Sequence, residues 1–252
     1  MSDAINLICL PFAGGGALAF RRWQAKLGER VRVLPVVLPG RETLFKEDPI
    51  LTHEKMMEYL CRNVIPLCQP PFALYGHSMG SRLAFELARE LRHRRLPGPV
   101  KLLVSGAPAP RYGPPGLGIS AMDDAEFRAC LRRLGGTPEP VLQNRELFEL
   151  FLPVLRADFL VAETYKYVES APLDCSIVAW GGRGDIYEYD RVAAWTLESR
   201  ALGRAEMVDG GHFFIFSAER HFLGLVSKEL CGDNHAVLRQ SSQVVDGGAE
   251  VG

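Results

Sequence analysis

The stretch Phe72-Ala73-Leu74-Tyr75-Gly76-His77-Ser78-Met79-Gly80 decides the fold. Four apolar residues of strand character run straight into Gly-x-Ser-x-Gly, and the segment beyond, to about His93, has the spacing of an amphipathic helix. A chain that turns so sharply from strand to helix lifts the serine above the end of the strand. The flanking glycines remove side chains that would collide where the two elements meet. A hydroxyl held there becomes a nucleophile once a base can take its proton.

Outward from this turn, short apolar runs alternate with helical patterns. Ile5 to Leu10, Val31 to Leu38, Val100 to Ser105, Ser176 to Trp180 and a run near 204–208 read as strands. Helical spacing appears near 18–28, 52–68, 189–200 and 217–230. Such alternation implies a mostly parallel sheet covered by helices on both faces. With the serine turn, it implies the α/β-hydrolase fold. Between about 111 and 170 the strands stop, and two helical stretches follow, 123–134 and 144–167. Pro153 is expected to kink or split the second. The expectation is one domain over 1–230, with a helical lid insertion at about 111–170 and a disordered polar tail over 231–252.

Composition narrows the class. The 252 residues carry 29 Lys+Arg and 30 Asp+Glu, a net charge of -1, with 47% hydrophobic residues. That balance argues against a disordered chain and against a nucleic-acid binder. No apolar run reaches the length of a membrane span, and the N-terminus lacks the charged lead and cleavage site of a secretory signal. Cys9, Cys61, Cys68, Cys130, Cys175 and Cys231 form no C-x-x-C pair, as expected of reduced thiols in a cytoplasmic protein. No metal-ligand spacing appears, and no cofactor is expected.

The base should be a histidine beyond the last strand, and its orienting acid should follow the strand before it. His212, in Asp209-Gly210-Gly211-His212-Phe213-Phe214, is the histidine in that place. Asp185, in Gly181-Gly182-Arg183-Gly184-Asp185, is the acid; it would fix the imidazole tautomer and stabilise the imidazolium. Asp209 competes, but three residues from His212 on one loop it is badly placed to reach the far ring nitrogen. The oxyanion hole is expected from the N–H of Met79 and from the loop Pro11 to Gly16, through Ala13 with Phe12 as the alternative.

The same loop permits a rival reading. Gly14-Gly15-Gly16-Ala17-Leu18-Ala19 fits the dinucleotide pattern G-x-G-x-x-G/A between a strand and a helix. That reading wants an acid at the end of the second strand, where Val36-Val37-Leu38-Pro39 has none; Arg41 could at best suggest a phosphorylated ribose. No Tyr-x-x-x-Lys pair supports hydride transfer either, since Lys166 follows Tyr165 directly.

Taken together, Leu10-Pro11-Phe12-Ala13-Gly14-Gly15, Leu38-Pro39-Gly40-Arg41-Glu42, Gly76-His77-Ser78-Met79-Gly80, Gly181-Gly182-x-x-Asp185 and Gly210-Gly211-His212-Phe213-Phe214 resemble the type II thioesterases. These stand-alone editing enzymes accompany modular polyketide and nonribosomal peptide synthases. The resemblance spans residues 5–230, and Leu-Pro-Gly-Arg-Glu is its most family-specific part. It implies hydrolysis of acyl groups stalled as thioesters on the phosphopantetheine arm of acyl or peptidyl carrier proteins, by a monomer with no nucleic-acid or membrane partner. Ile186 departs from the family, which often has proline there. A generic carboxylesterase or amidase, a macrocyclase and a non-catalytic binding protein of the same fold stay open as alternatives. The basic run Arg89, Arg92, His93, Arg94, Arg95 lies roughly 20 Å along the helix from Ser78. Carrier docking is left unassigned.

Overall fold

The computed structural model describes residues 4–114, 116 and 118–232. In chain order the elements are β1 (Ile5–Leu10), α1 (Trp23–Leu27), β2 (Val31–Pro35), α2 (His53–Asn63), β3 (Phe72–His77), α3 (Met79–His93), β4 (Lys101–Ser105), α4 (Asp124–Leu134), α5 (Glu139–Gln143) and α6 (Arg145–Glu163). They continue with β5 (Ser176–Gly182), α7 (Tyr189–Ala193), β6 (Arg204–Val208), α8 (Phe214–Ser217) and α9 (Glu219–Cys231).

The six strands form one sheet in the order β2-β1-β3-β4-β5-β6, and every pairing is parallel. Strand residues alternate between its two faces, as the two-residue period of a strand requires. Ile8, Leu10, Phe72, Leu74, Leu102, Val104, Ile177 and Ala179 face α2, α3 and α7. Leu7, Cys9, Ala73, Tyr75, Leu103, Val178 and Trp180 face α1 and α9, whose Trp23, Phe222, Val226 and Leu230 complete that layer. The strand order reverses between β1 and β3. In open parallel sheets ligands bind outside the carboxyl ends of the strands at such a reversal. The loop after β1 and the serine turn after β3 both open there.

Between β4 and β5 the chain builds α4, α5 and α6 around a separate apolar cluster of Ile119, Phe127, Cys130, Leu131, Leu142, Phe148 and Leu155. Asp123 caps α4 by accepting the N–H groups of Ala125 and Glu126, and Asn144 caps α6 through Leu147 N–H. Pro153 does not split the helix, which runs unbroken from Arg145 to Glu163. Residues on both sides of the proline are buried. Phe148 and Leu155 sit in the insertion's cluster, while Val161 packs into the sheet's core.

Other boundaries shift for local reasons. β2 ends at Pro35 rather than Leu38, and just beyond it Val36 N–H still donates to the Cys9 carbonyl of β1 at 2.9 Å. The helix from 52 stops at Asn63, with a 3-10 turn through Pro66 beyond it. The stretch 18–28 divides into a 3-10 turn, Ala17–Phe20, and the short α1. The segment 189–200 is likewise α7 followed by a 3-10 turn, Ala194–Glu198. The short α5 has no counterpart among the sequence expectations. The tail expected to be disordered lies, beyond Gly232, outside the described residues. All six cysteines are free thiols, and burial pushes those of Cys68 and Cys175 up to about 12. Among the described residues no helix is long and apolar enough to cross a membrane.

Candidate active site

Ser78 stands between β3 and α3 with φ 54 and ψ -115, a left-handed conformation that costs a non-glycine residue energy. Close packing enforces it. A Cβ on Gly76 would collide with the Gly80 carbonyl, and one on Gly80 with the Leu10 carbonyl. His77, beneath the serine, is fully buried with Nδ1 2.8 Å from Ser105 Oγ; Tyr75 Oη is 2.7 Å from the same hydroxyl. Burial, then the nearby His212 ring, hold the His77 imidazole well below its ordinary pKa, so it stays neutral.

The loops after β5 and β6 complete a relay. His212 Nε2 lies 3.0 Å from Ser78 Oγ, and His212 Nδ1 lies 2.8 Å from Asp185 Oδ2. The two side chains are 10% and 2% exposed, so the pair is shielded while the serine faces a cavity. Asp185 Oδ1 also accepts the Ile186 N–H at 2.7 Å, which fixes the carboxylate plane. Gly182 lets the two loops touch, since a Cβ there would strike the Gly211 carbonyl. Asp209 instead pairs with Arg183 at 3.1 Å on the surface. Asp185 is the acid that reaches His212.

Ala13 and Met79 line the same cavity as Ser78 and His212, a space of about 80 Å³ whose apolar walls include Phe12, Ile119, Leu134, Phe159 and Phe213. Neither the Ala13 nor the Met79 N–H takes part in a loop, cap or side-chain hydrogen bond among the described residues, whereas Gly14 N–H is held by Asp158 and Gly15 N–H by the Phe12 carbonyl. Two larger spaces adjoin it. One of about 690 Å³ runs past Gly14, Gly15, Gly16, Arg22 and Phe151, and one of about 960 Å³ past Cys130, Arg133, Gly184 and Phe216.

The Leu-Pro-Gly-Arg-Glu segment holds the loop after β1. Arg41 makes two hydrogen bonds to Asp158 on α6, at 2.6 and 2.7 Å, and a third to the Gly15 carbonyl at 2.8 Å. Asp158 accepts the Gly14 N–H at 2.7 Å. Glu42 accepts the N–H groups of Ala17 and Leu18 at 3.0 and 2.9 Å. A dinucleotide would place its pyrophosphate on these amides. The protein's own carboxylate already occupies them, which contradicts the dinucleotide reading.

Asp158 and Arg82 are not singled out by the sequence, Arg41 is weighed there only as a contact to a phosphorylated ribose, and Arg41 and Glu42 otherwise enter only as part of the Leu-Pro-Gly-Arg-Glu motif. The available signal was a charge on an apolar helix face: Asp158 among Val154, Leu155 and Val161, three or four residues away, and Arg82 four residues past the serine. Three cations of the basic run at the end of α3 are engaged within the fold. Arg89 donates to Val168 O, Arg92 to Ala171 O and Pro172 O, and Arg94 to Glu90.

A parallel sheet with a serine, a histidine and an aspartate converging at its carboxyl edge defines a serine hydrolase of the α/β class. The chain belongs to the thioesterase domain family, whose model matches residues 5–230. It is 37% identical to gramicidin S biosynthesis protein GrsT of Aneurinibacillus migulanus, over 90% of this chain and 89% of that protein. It is 38% identical to linear gramicidin dehydrogenase LgrE of Brevibacillus parabrevis, over 90% and 88% respectively. Among solved structures, the type II thioesterase BorB from the borrelidin biosynthetic cluster superposes with a TM-score of 0.83 at 35% identity, covering 91% of this chain and 94% of that one.

Proposed function

We propose that this protein is a type II thioesterase that clears stalled acyl groups from the phosphopantetheine arms of carrier proteins, with Ser78 as nucleophile, His212 as base and Asp185 as its orienting acid. The carrying observation is the unbroken relay from Ser78 through His212 to Asp185, at 3.0 and 2.8 Å, with Ala13 and Met79 lining the same cavity. His212 Nε2 takes the Ser78 proton as Oγ attacks the thioester carbonyl. The N–H groups of Ala13 and Met79 receive the developing oxyanion. The carbonyl re-forms, the carbon–sulfur bond breaks, and His212 returns its proton to the departing thiol. Water then attacks the acyl-serine, gives its proton to His212, and the acid leaves as Ser78 recovers its hydrogen.

The pathway names of GrsT and BorB support carrier-bound substrates. The redox name of LgrE gains no support here, because Glu42 fills the amide site a dinucleotide would need. The insertion that forms α4, α5 and α6 acts as a lid over the acyl group, and the adjoining space past Gly14 and Arg22 admits the arm. The protein works as a cytoplasmic monomer.

Hydrolysis of pantetheine thioesters and matched oxygen esters tests the chemistry. Thioesters are expected to be preferred, and Ser78→Ala to lose about 10⁴-fold or more in turnover. Equal handling of both ester types would favour a general carboxylesterase.

A further inference from the structure

Arg82 follows Ser78 by four residues, which puts it on the same face of α3, about 6 Å further along the axis. It is 4% exposed and lines the cavity that holds Ser78, Ala13, Met79 and His212. A guanidinium carries five N–H donors, and a buried one ordinarily faces a carboxylate. Among the described residues it makes a single hydrogen bond, to the Gly113 carbonyl at 2.6 Å, and Nε is buried without a partner there. No described carboxylate forms an ion pair with it.

The surroundings leave the charge unanswered. The Tyr165 ring sits 5.6 Å from the guanidinium carbon, and Tyr187 is a second neighbour. His53 is kept neutral, its pKa pushed down to about 4 by burial and then by Arg82 itself. Glu163 is the one carboxylate among the described lining residues, and it is engaged elsewhere. It accepts the N–H groups of Ile119 and Ser120 and the Ser120 hydroxyl. Glu86, one turn further along α3, is held by Arg89 and the Tyr165 hydroxyl. Burying an unmatched cation beside a reacting serine is costly for the fold, and a bound anion removes that cost.

We propose that Arg82 selects the substrate, and that the acyl groups it selects carry a carboxylate a few bonds from the thioester carbonyl, as in half-acids of short dicarboxylic acids. This rests on the thioesterase reading above and names its substrate class. The carboxylate accepts the free Arg82 N–H groups while the thioester carbonyl lies against Ser78. A cavity of about 80 Å³ suits a short acyl group. A methyl-ended chain of equal length leaves the guanidinium bare.

The test compares malonyl-, succinyl- and glutaryl-pantetheine with methyl-ended acyl-pantetheines of equal chain length. At one of the three lengths, kcat/KM is expected to favour the diacid by about 10- to 100-fold, the range of a charge-assisted hydrogen bond. Arg82→Met is expected to abolish that ratio while melting at or above the parent temperature, since it removes an unpaired buried charge. A ratio near one at all three lengths, or a ratio retained in Arg82→Met, overturns the inference. Calorimetric binding of the same compounds to Ser78→Ala separates the two claims. If neither series is hydrolysed, the thioesterase reading fails, and binding alone decides: tighter diacid binding that Arg82→Met abolishes supports the inference, and equal affinities overturn it.

Discussion

Gly80 shows how much of the site depends on single atoms. A Cβ there would strike the Leu10 carbonyl, and backbone atoms cannot swing aside as a side chain can. Gly80→Ala is therefore expected to cost about 3 kcal/mol or more, at the upper end of overpacking, read by urea unfolding. A change under about 0.5 kcal/mol would contradict the packing account. His53 and His77 supply a pH test. Burial lowers both, with the Arg82 charge adding to it at His53 and the His212 ring at His77; His53 reaches about 4 and His77 lies well below its ordinary value. The unfolded chain takes protons near pH ~6.5 that the folded chain refuses. Their stabilisation is thus fully present above that pH and is lost as the pH falls, through about 4 for His53. Each contributes a slope of up to about 1.4 kcal/mol per pH unit in that window. Urea unfolding at pH 7, 5.5 and 4.5 should show a shallower loss in His53→Gln than in the parent; equal slopes would count against the neutral buried imidazole.

At the scale of elements, the contact that matters most joins α6 to the loop after β1. Arg41 and Asp158 are 6% and 1% exposed, and between them they fix the Gly15 carbonyl and the Gly14 N–H. Ala13, the proposed oxyanion donor, is their neighbour in sequence. Asp158→Asn leaves the Arg41 charge buried without its counter-ion, and is expected to cost about 3 kcal/mol of stability. Turnover should fall by about tenfold or more, less than the 10²–10³ that complete loss of an oxyanion donor costs. The double variant Arg41→Met with Asp158→Leu separates packing from positioning. Apolar replacement of a buried ion pair restores stability, whereas the loop has lost its tethers, so turnover should stay low. Recovery of both would make the pair purely structural. The affinity of a trifluoromethyl ketone, which forms the tetrahedral oxyanion on serine, should fall in parallel with turnover.

Across the whole molecule, the sheet and the relay were legible because each rests on a local rule. Period-two apolar runs name strands, and the serine turn orders the acid and base after it; Ser78, Asp185 and His212 meet at 3.0 and 2.8 Å as that order requires. What escaped depends on contacts distant in sequence. Asp158 and Arg41 are 117 residues apart, so no local pattern links them. Arg82 reads as an ordinary helical cation until the fold buries it on the cavity that holds the nucleophile. Pro153 is expected from sequence to kink or split the helix because its local cost is visible there, whereas the packing that holds α6 on both sides of it is not. The central claim, that this relay cleaves carrier-bound thioesters, meets its most direct test in intact mass spectrometry of an acylated carrier protein mixed with the enzyme or its Ser78→Ala form. The expected result is release of the acyl mass to leave the free pantetheine thiol with the parent enzyme, and an unchanged acyl-carrier mass with Ser78→Ala. Deacylation at the parent rate by Ser78→Ala would contradict the account.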